Sequence, residues 1–227
     1  MPRYTAVLDA CVLVPVALAD TLLRVAEKGL YRPLWSDRIL GEAQAAIEEI
    51  HPGIDAAKRF ASMREAFDDA MVTGWEEQQH KIWLPDEDDR HVVAAAVRGG
   101  AQAIVTANVK DFPATALEPL GLEAVHPDDF LLDQLDLSPP TLLQVIREQA
   151  AHSRRPPLAP RDLATLLGRA GVPDFADEIL RLMGSPFDST WHRPRTRAEW
   201  PSRSDLGHAT TVARTPARRF QFAGPDS

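Results

Sequence analysis

The stretch PDEDDRHVVAAAVRGGAQAIVTANVKDFP, residues 85–113, reads as a helix followed directly by a strand. Asp86 is placed as an N-cap, and Asp89, three residues on, falls in the first turn near the positive end of the dipole. Asp89 shares a helical face with Val92, Val93 and Ala96, so it points inward, where a charge needs a reason; Asp88 lies about 100° round from it. Gly99-Gly100 closes the helix. AIVTA, residues 103–107, then reads as a short buried strand that opens into a loop carrying Asn108 and Asp111.

Working outward, the same alternation recurs. YTAVLD, residues 4–9, is an apolar run ending in an acid and reads as a buried strand. A helix is expected from Cys11 to Lys28, with Pro15 tolerated near its first turn and Gly29 at its end. Pro33-Leu34-Trp35 is a short extended piece, and Ser36 is the N-cap of the helix RILGEAQAAIEEI. His51-Pro52-Gly53 breaks that helix, and a third runs from Asp55 to Met71. Residues 72–85 read as irregular, with short strands at most and with Trp75 and Trp83 as packing anchors. LEAV, residues 122–125, is a further strand, and His126-Pro127-Asp128 caps a helix through Leu135.

Strands alternating with helices predict an α/β fold whose central parallel sheet is covered on both faces. Ligands of such sheets sit beyond the carboxyl ends of the strands. Asp9, Asn108 and Asp111 fall there, and Asp89 at a helix start reaches the same edge. With Glu42, these acids are spaced 33, 47 and 22 residues apart (Asp9, Glu42, Asp89, Asp111), so only a fold assembles them. Clustered carboxylates raise one another's pKa unless a cation lies between them. Asp9, Glu42, Asp89 and Asp111 are therefore the candidate catalytic residues, with Asp9 and Asp89 as direct metal ligands. Oxygen-only ligation favours Mg²⁺ or Mn²⁺ over zinc.

Each residue has a plainer reading. Asp9 alone is a strand-end turn residue, Glu42 a solvated glutamate on the flank of an apolar stripe, and Asp111 a loop residue. Asp86 reads as a cap rather than a ligand. His91, two residues from Asp89, is expected to turn away from the site and to be structural. Cys11 reads as a small core residue. Thr106 either fills a strand end or hydrogen-bonds an acid of the site.

The chain has 227 residues, 44% hydrophobic and 26% charged, as expected of a soluble globular protein. No apolar run reaches the roughly 20 residues of a bilayer span, so no membrane partner is expected. Asp9 interrupts the apolar N-terminal stretch that would otherwise resemble a signal peptide. The single cysteine excludes an internal disulfide and suits a cytoplasmic location. Residues 1–135 hold 12 Lys/Arg against 23 Asp/Glu, a net of −11, whereas residues 136–227 hold 13 against 10, a net of +3. An acidic unit is a poor match for nucleic acid unless cations cancel part of its charge.

Beyond residue 136 the character changes. SPPTLLQVIREQAAHS, RDLATLLGRAG and PDFADEILRLM read as three helices, a small C-terminal helical appendage. The last two do not make a DNA reader, since Asp174, Asp177 and Glu178 repel phosphate. The organisation expected is 1–136 for the α/β unit, 137–184 for the helical region and 185–227 for a flexible tail. In that tail, Arg193, Arg195, Arg197, Arg214, Arg218 and Arg219 either make an ordinary arginine-bearing tail with no assigned partner, or steer a nucleic acid on whose bases Trp191 and Trp200 stack.

AVLDACVL (6–13), ILGEAQ (39–44) and the stretch at 85–113, in this order and spacing, resemble the PIN-domain ribonucleases, and most closely the VapC-type toxins of bacterial toxin–antitoxin pairs. The resemblance covers about residues 4–135. It implies a PIN-like three-layer fold, and it matches Asp9, Glu42 and Asp89 to the family's acids. The fourth acid is left open between Asn108 and Asp111. It further implies metal-dependent hydrolysis of RNA, with a 5′-phosphate and a 3′-hydroxyl as products, a cognate antitoxin as partner, and a homodimer. Two other readings remain: a non-catalytic PIN-like metal- or RNA-binding regulatory module, and an acidic-cluster phosphatase. The second would want an Asp-x-Asp pair, and here Asp9 is followed by Ala10 and Cys11.

Overall fold

Four short strands, all parallel, form a sheet in the order β2-β1-β3-β4. The computed structural model describes residues 4–53, 55–153 and 157–184, all within one compact unit. In chain order the elements begin with β1 (Thr5–Leu8), α1 (Ala10–Leu13), α2 (Val16–Glu27), β2 (Arg32–Leu34) and α3 (Asp37–Ile50). They continue with α4 (Ala56–Ala66), α5 (Glu76–Gln79), α6 (Arg90–Gly99), β3 (Ala103–Val105), α7 (Ala114–Leu117) and β4 (Glu123–Val125). Four helices complete the described chain: α8 (Pro127–Leu137), α9 (Pro139–His152), α10 (Pro160–Arg169) and α11 (Pro173–Gly184). The parallel α/β sheet expected from the sequence is present. The expectations for the 185–227 tail lie outside the described residues. Among the described residues no helix is long and apolar enough to cross a membrane.

β1 is paired on both sides, Val7 opposite Leu34 and Ile104, and all four of its residues are buried. A strand with neighbours on both edges and layers on both faces has to be apolar throughout, as this one is. Each helix that precedes a parallel strand runs back along the sheet, so its amino end lies at the strands' carboxyl edge. That topology carries Asp89, at the start of α6, to the edge where β1 ends in Asp9. The return is tight: a Cβ on Gly99 would stand 2.4 Å from Leu34 Cδ1. Gly100 then ends α6 in the left-handed region, φ +65°.

Several elements differ from expectation. The single helix from Cys11 to Lys28 is two, because Pro15 is extended (φ −69°, ψ 113°) and acts as the N-cap of α2. The helix expected through Met71 stops at Ala66, and Met71 instead bridges Trp35 in parallel, continuing the line of β2. Residues 72–85 contain α5 rather than strands. Trp75 is buried as a packing anchor, but Trp83 is not: it is 67% exposed, held outward between buried Ile82 and Leu84. Asp86 does not start α6. Its carboxylate accepts from the Asp88 amide (2.9 Å) in the loop, and the helix begins four residues later.

The C-terminal helices each open on proline (Pro127, Pro139, Pro160, Pro173), whose missing N–H is no loss in a first turn. Leu142, Ile146, Leu163, Leu167, Phe175 and Ile179 belong to the same apolar core as the sheet residues. A buried polar latch fixes α9 on α2: Thr21 Oγ1 donates to Gln149 Oε1 (2.7 Å), and Gln149 Nε2 donates to the Ala17 carbonyl (2.9 Å).

Candidate metal centre

Asp9 follows β1 and caps α1, accepting from the Ala10 amide at 2.7 Å through Oδ1. Its other oxygen, Oδ2, accepts from the Thr106 hydroxyl at 2.7 Å and from the Cys11 thiol at 3.2 Å. The side chain is buried, 6% exposed. Thr106 comes from the end of β3, so neighbouring strands deliver both partners. Of the two readings of Thr106, the structure supports the one in which it bonds an acid. Its oxygen also accepts from the Asn108 amide (3.0 Å), which fixes the start of the loop leading to Asp111. Burial, then the Asp9 charge, pushes the Cys11 thiol up to about 12, so it acts as a hydrogen-bond donor rather than a thiolate.

Asp89 is the N-cap of α6, yet its carboxylate makes no capping hydrogen bond. Burial, followed by the charges of Asp9, Asp86, Asp111 and Glu42, lifts this carboxyl from 3.8 to about 7. The expected acids Asp9, Glu42, Asp89 and Asp111 are therefore brought into one electrostatic neighbourhood. Asp86, expected only to cap, adds its charge to theirs. Asp111 lies in a 3₁₀ turn, Val109–Asp111, with its amide bonded to the Asn108 carbonyl (2.9 Å). Asp111, one of the two residues left open for the fourth position, adds its charge to those that raise Asp89.

Glu42 projects from α3, which Ser36 caps by accepting from the Ile39 amide (3.3 Å). One glutamate oxygen, Oε1, takes both Arg38 Nε (3.0 Å) and His91 Nε2 (3.1 Å). Burial lifts the Glu42 carboxyl, but the His91 and Arg38 bonds and charges outweigh it and hold the group below the ordinary glutamate range. His91 thus faces the acid cluster rather than turning away from it. At 1% exposure it reaches Glu42 across the α3–α6 boundary, beside the Trp75 ring at 5.9 Å. The sequence signal that could have found it was an imidazole one turn into a helix whose other inner positions are all small and apolar.

The donor set is oxygen-rich and carries more negative charge than its surroundings balance. Among the described residues, no group of three or more His, Cys, Asp or Glu side chains is placed to hold a metal ion by itself. Such a set suits a hard cation that keeps much of its water and takes one or two carboxylates directly, which is the habit of Mg²⁺ and not of a structural zinc.

Residues 5–110 match the PIN domain family model, and residues 127–181 match the model of the VapC50 C-terminal domain. Residues 5–110 of the chain thus carry a PIN domain. Its PIN domain ends, by this match, one residue before Asp111, and the second match begins at Pro127 and takes in α8 to α11. A curated protein of Mycobacterium tuberculosis (strain ATCC 25618 / H37Rv), named "Putative ribonuclease VapC50", is 50% identical over 101 residues. That alignment covers 44% of this PIN-domain chain and 59% of the relative, so the chain spans somewhat over half of the relative's length. No solved structure matches the chain significantly.

Proposed function

We propose that this PIN-domain chain is a metal-dependent endoribonuclease, and that it acts as the toxin of a toxin–antitoxin pair in the cytoplasm. The observation that carries the reading is the gathering of five acids from four segments, Asp9, Glu42, Asp86 with Asp89, and Asp111, around the carboxyl edge of a parallel sheet, where their charges add to burial in lifting the Asp89 carboxyl. The name of the M. tuberculosis relative supports the choice of RNA as substrate; the antitoxin partner is what the resemblance to VapC-type toxins implies.

In this reading Asp9 and Asp89 hold a divalent cation, Mg²⁺ or Mn²⁺. When bound, such an ion lowers the pKa of a water and offsets negative charge at the phosphate. The chain's own residues set the geometry. Thr106, Cys11 and the Ala10 amide fix the Asp9 carboxylate between strand and helix, so it does not need to reorganise. Glu42 is held through Oε1, which leaves Oε2 to accept a hydrogen bond from the attacking water. Asp111 stands on the opposite segment as the fourth acid. Residues 1–136 supply the chemistry, and 137–184 brace α2 and α8.

Asp9→Asn tests the assignment, because it keeps the shape and removes one ligand charge. Cleavage of a short RNA should fall below detection with the circular dichroism spectrum unchanged. EDTA should stop the native chain, and Mg²⁺ or Mn²⁺ should restore it. Metal-independent cleavage, or full activity in Asp9→Asn, overturns the proposal.

A further inference from the structure

His91 is a buried polar side chain that the chemistry so far has not used. It is 1% exposed, its Nε2 lies 3.1 Å from Glu42 Oε1, and its Nδ1 is buried without a hydrogen-bond partner. A carboxylate only accepts, so Nε2 donates the hydrogen of this bond, while Nδ1 is left without a partner. Leaving that atom unpaired is unfavourable, and an apolar side chain would fill the space beside Trp75 and the Val/Ala face of α6 at no such cost. The only polar return on burying this imidazole is its bond to Glu42.

That bond has a geometric consequence. Arg38 reaches the same oxygen from one turn earlier on α3, at 3.0 Å, and Arg38 is itself tied to the Asp88 carbonyl (3.3 Å). Arg38 is part-exposed and flexible, whereas His91 is enclosed on a packed helix. Arg38 thus supplies charge, and His91 supplies the fixed point. Two donors converging on Oε1 set the carboxylate plane and keep Oε2 clear of hydrogen bonds within the described residues.

We infer that His91 is a positioning residue, holding Glu42 by Oε1 so that Oε2 is presented to the metal centre and its water. The inference rests on the nuclease reading and deepens it. Side chains that orient a site's carboxylates from behind typically change metal affinity or activity about 10–100-fold when lost.

The test compares His91→Leu, which removes the donor, with His91→Gln, whose amide can return an N–H to the Nε2 position. Glu42→Gln and the double variants His91→Leu/Glu42→Gln complete a cycle. Three readouts are taken on the full chain: kcat and KM on a short single-stranded RNA, Mn²⁺ affinity by titration calorimetry without RNA, and Tm. His91→Leu should lower kcat about tenfold or more with KM nearly unchanged, and weaken Mn²⁺ binding severalfold. His91→Gln should recover most of both. In the Glu42→Gln background, His91→Leu should add little, because the two act through one carboxylate.

If His91→Leu costs as much in the Glu42→Gln background as in the native chain, His91 does not act through Glu42. Failure of His91→Gln to recover either readout at a native Tm overturns the inference as well. Should His91→Leu not fold, His91→Met, which also lacks the donor, takes its place in the same comparison. A native chain that binds Mn²⁺ and cuts RNA, with both His91 variants unchanged, overturns this inference alone. A native chain that does neither overturns the nuclease reading and takes this inference with it.

Discussion

The Asp128 carboxylate closes the amino end of a helix 46 residues away: Oδ1 accepts from the Phe175 amide at 2.8 Å and Oδ2 from the Asp174 amide at 3.0 Å. A helix start leaves its first amides without intrahelical partners and favours negative charge, and here α8 supplies both needs for α11. Asp128 is nearly enclosed, so no water replaces it readily. Asp128→Ala should therefore destabilise the fold by about 1–3 kcal/mol, read as a lower urea midpoint. Asp128→Asn should fall between, since it offers one accepting oxygen where the carboxylate offers two. RNA cleavage by the surviving folded fraction should be native in both.

Asp89 gives a pH prediction with a definite sign. Its folded pKa, about 7, lies above the ordinary 3.8, so folding is favoured when it is protonated. That stability is complete below about pH 4 and is lost as pH rises through 7. At alkaline pH the metal-free cluster is repulsive and a divalent cation relieves it. Added Mg²⁺ or Mn²⁺ should therefore raise Tm by a few degrees at pH 8 and by much less at pH 5.5, followed by differential scanning fluorimetry. An equal shift at both values would mean that the ion binds elsewhere.

Thr106 orients Asp9 through a single short bond from a fully buried hydroxyl. Thr106→Val keeps the volume and leaves Oδ2 of Asp9 with only the weak Cys11 donor. Stability should fall by about 1 kcal/mol and kcat by roughly tenfold. Thr106→Ser should retain most of both. Steady-state kinetics beside thermal melts separate the two effects.

Two glycines in helices should respond in opposite directions. A Cβ at Gly99 would meet Leu34 Cδ1 at 2.4 Å and Val72 Cγ2 at 3.1 Å, so Gly99→Ala should cost about 1–3 kcal/mol through overpacking. At Gly41, inside α3, a Cβ meets nothing within 4 Å, and Gly41→Ala should add about 0.5–1 kcal/mol. Chemical denaturation of both variants against the native chain measures the contrast.

The sheet was legible because its two inner strands are apolar on both faces and each ends in a chemically distinctive residue: Asp9 after β1, Thr106 after β3. The convergence of Asp9, Glu42, Asp89 and Asp111 followed from parallel topology, which brings strand ends and helix starts to one edge. Local detail was harder to read. Pro15 could be accommodated in a first turn or could separate two helices, and only packing of α1 beneath α3 decides for the break. Trp83 looks like core by composition, yet Ile82 and Leu84 occupy the inward positions of its segment. Helical spacing from Asp89 alone does not reveal the role of His91. The residue it meets is Glu42, on another helix, and pairings between helices leave no mark in local periodicity.

The order of assembly has a consequence for the cell that makes this chain. β1 emerges from the ribosome early, but its inner partner is β3, and the acids of the centre extend from residue 9 to residue 111. Until β3 has been synthesised and has slotted beside β1, Asp9 lacks the Thr106 hydroxyl that orients it, and Asp111 is still unmade. On the nuclease reading, the centre is therefore incomplete until β3 and the turn Val109–Asp111 have followed β1 out of the ribosome.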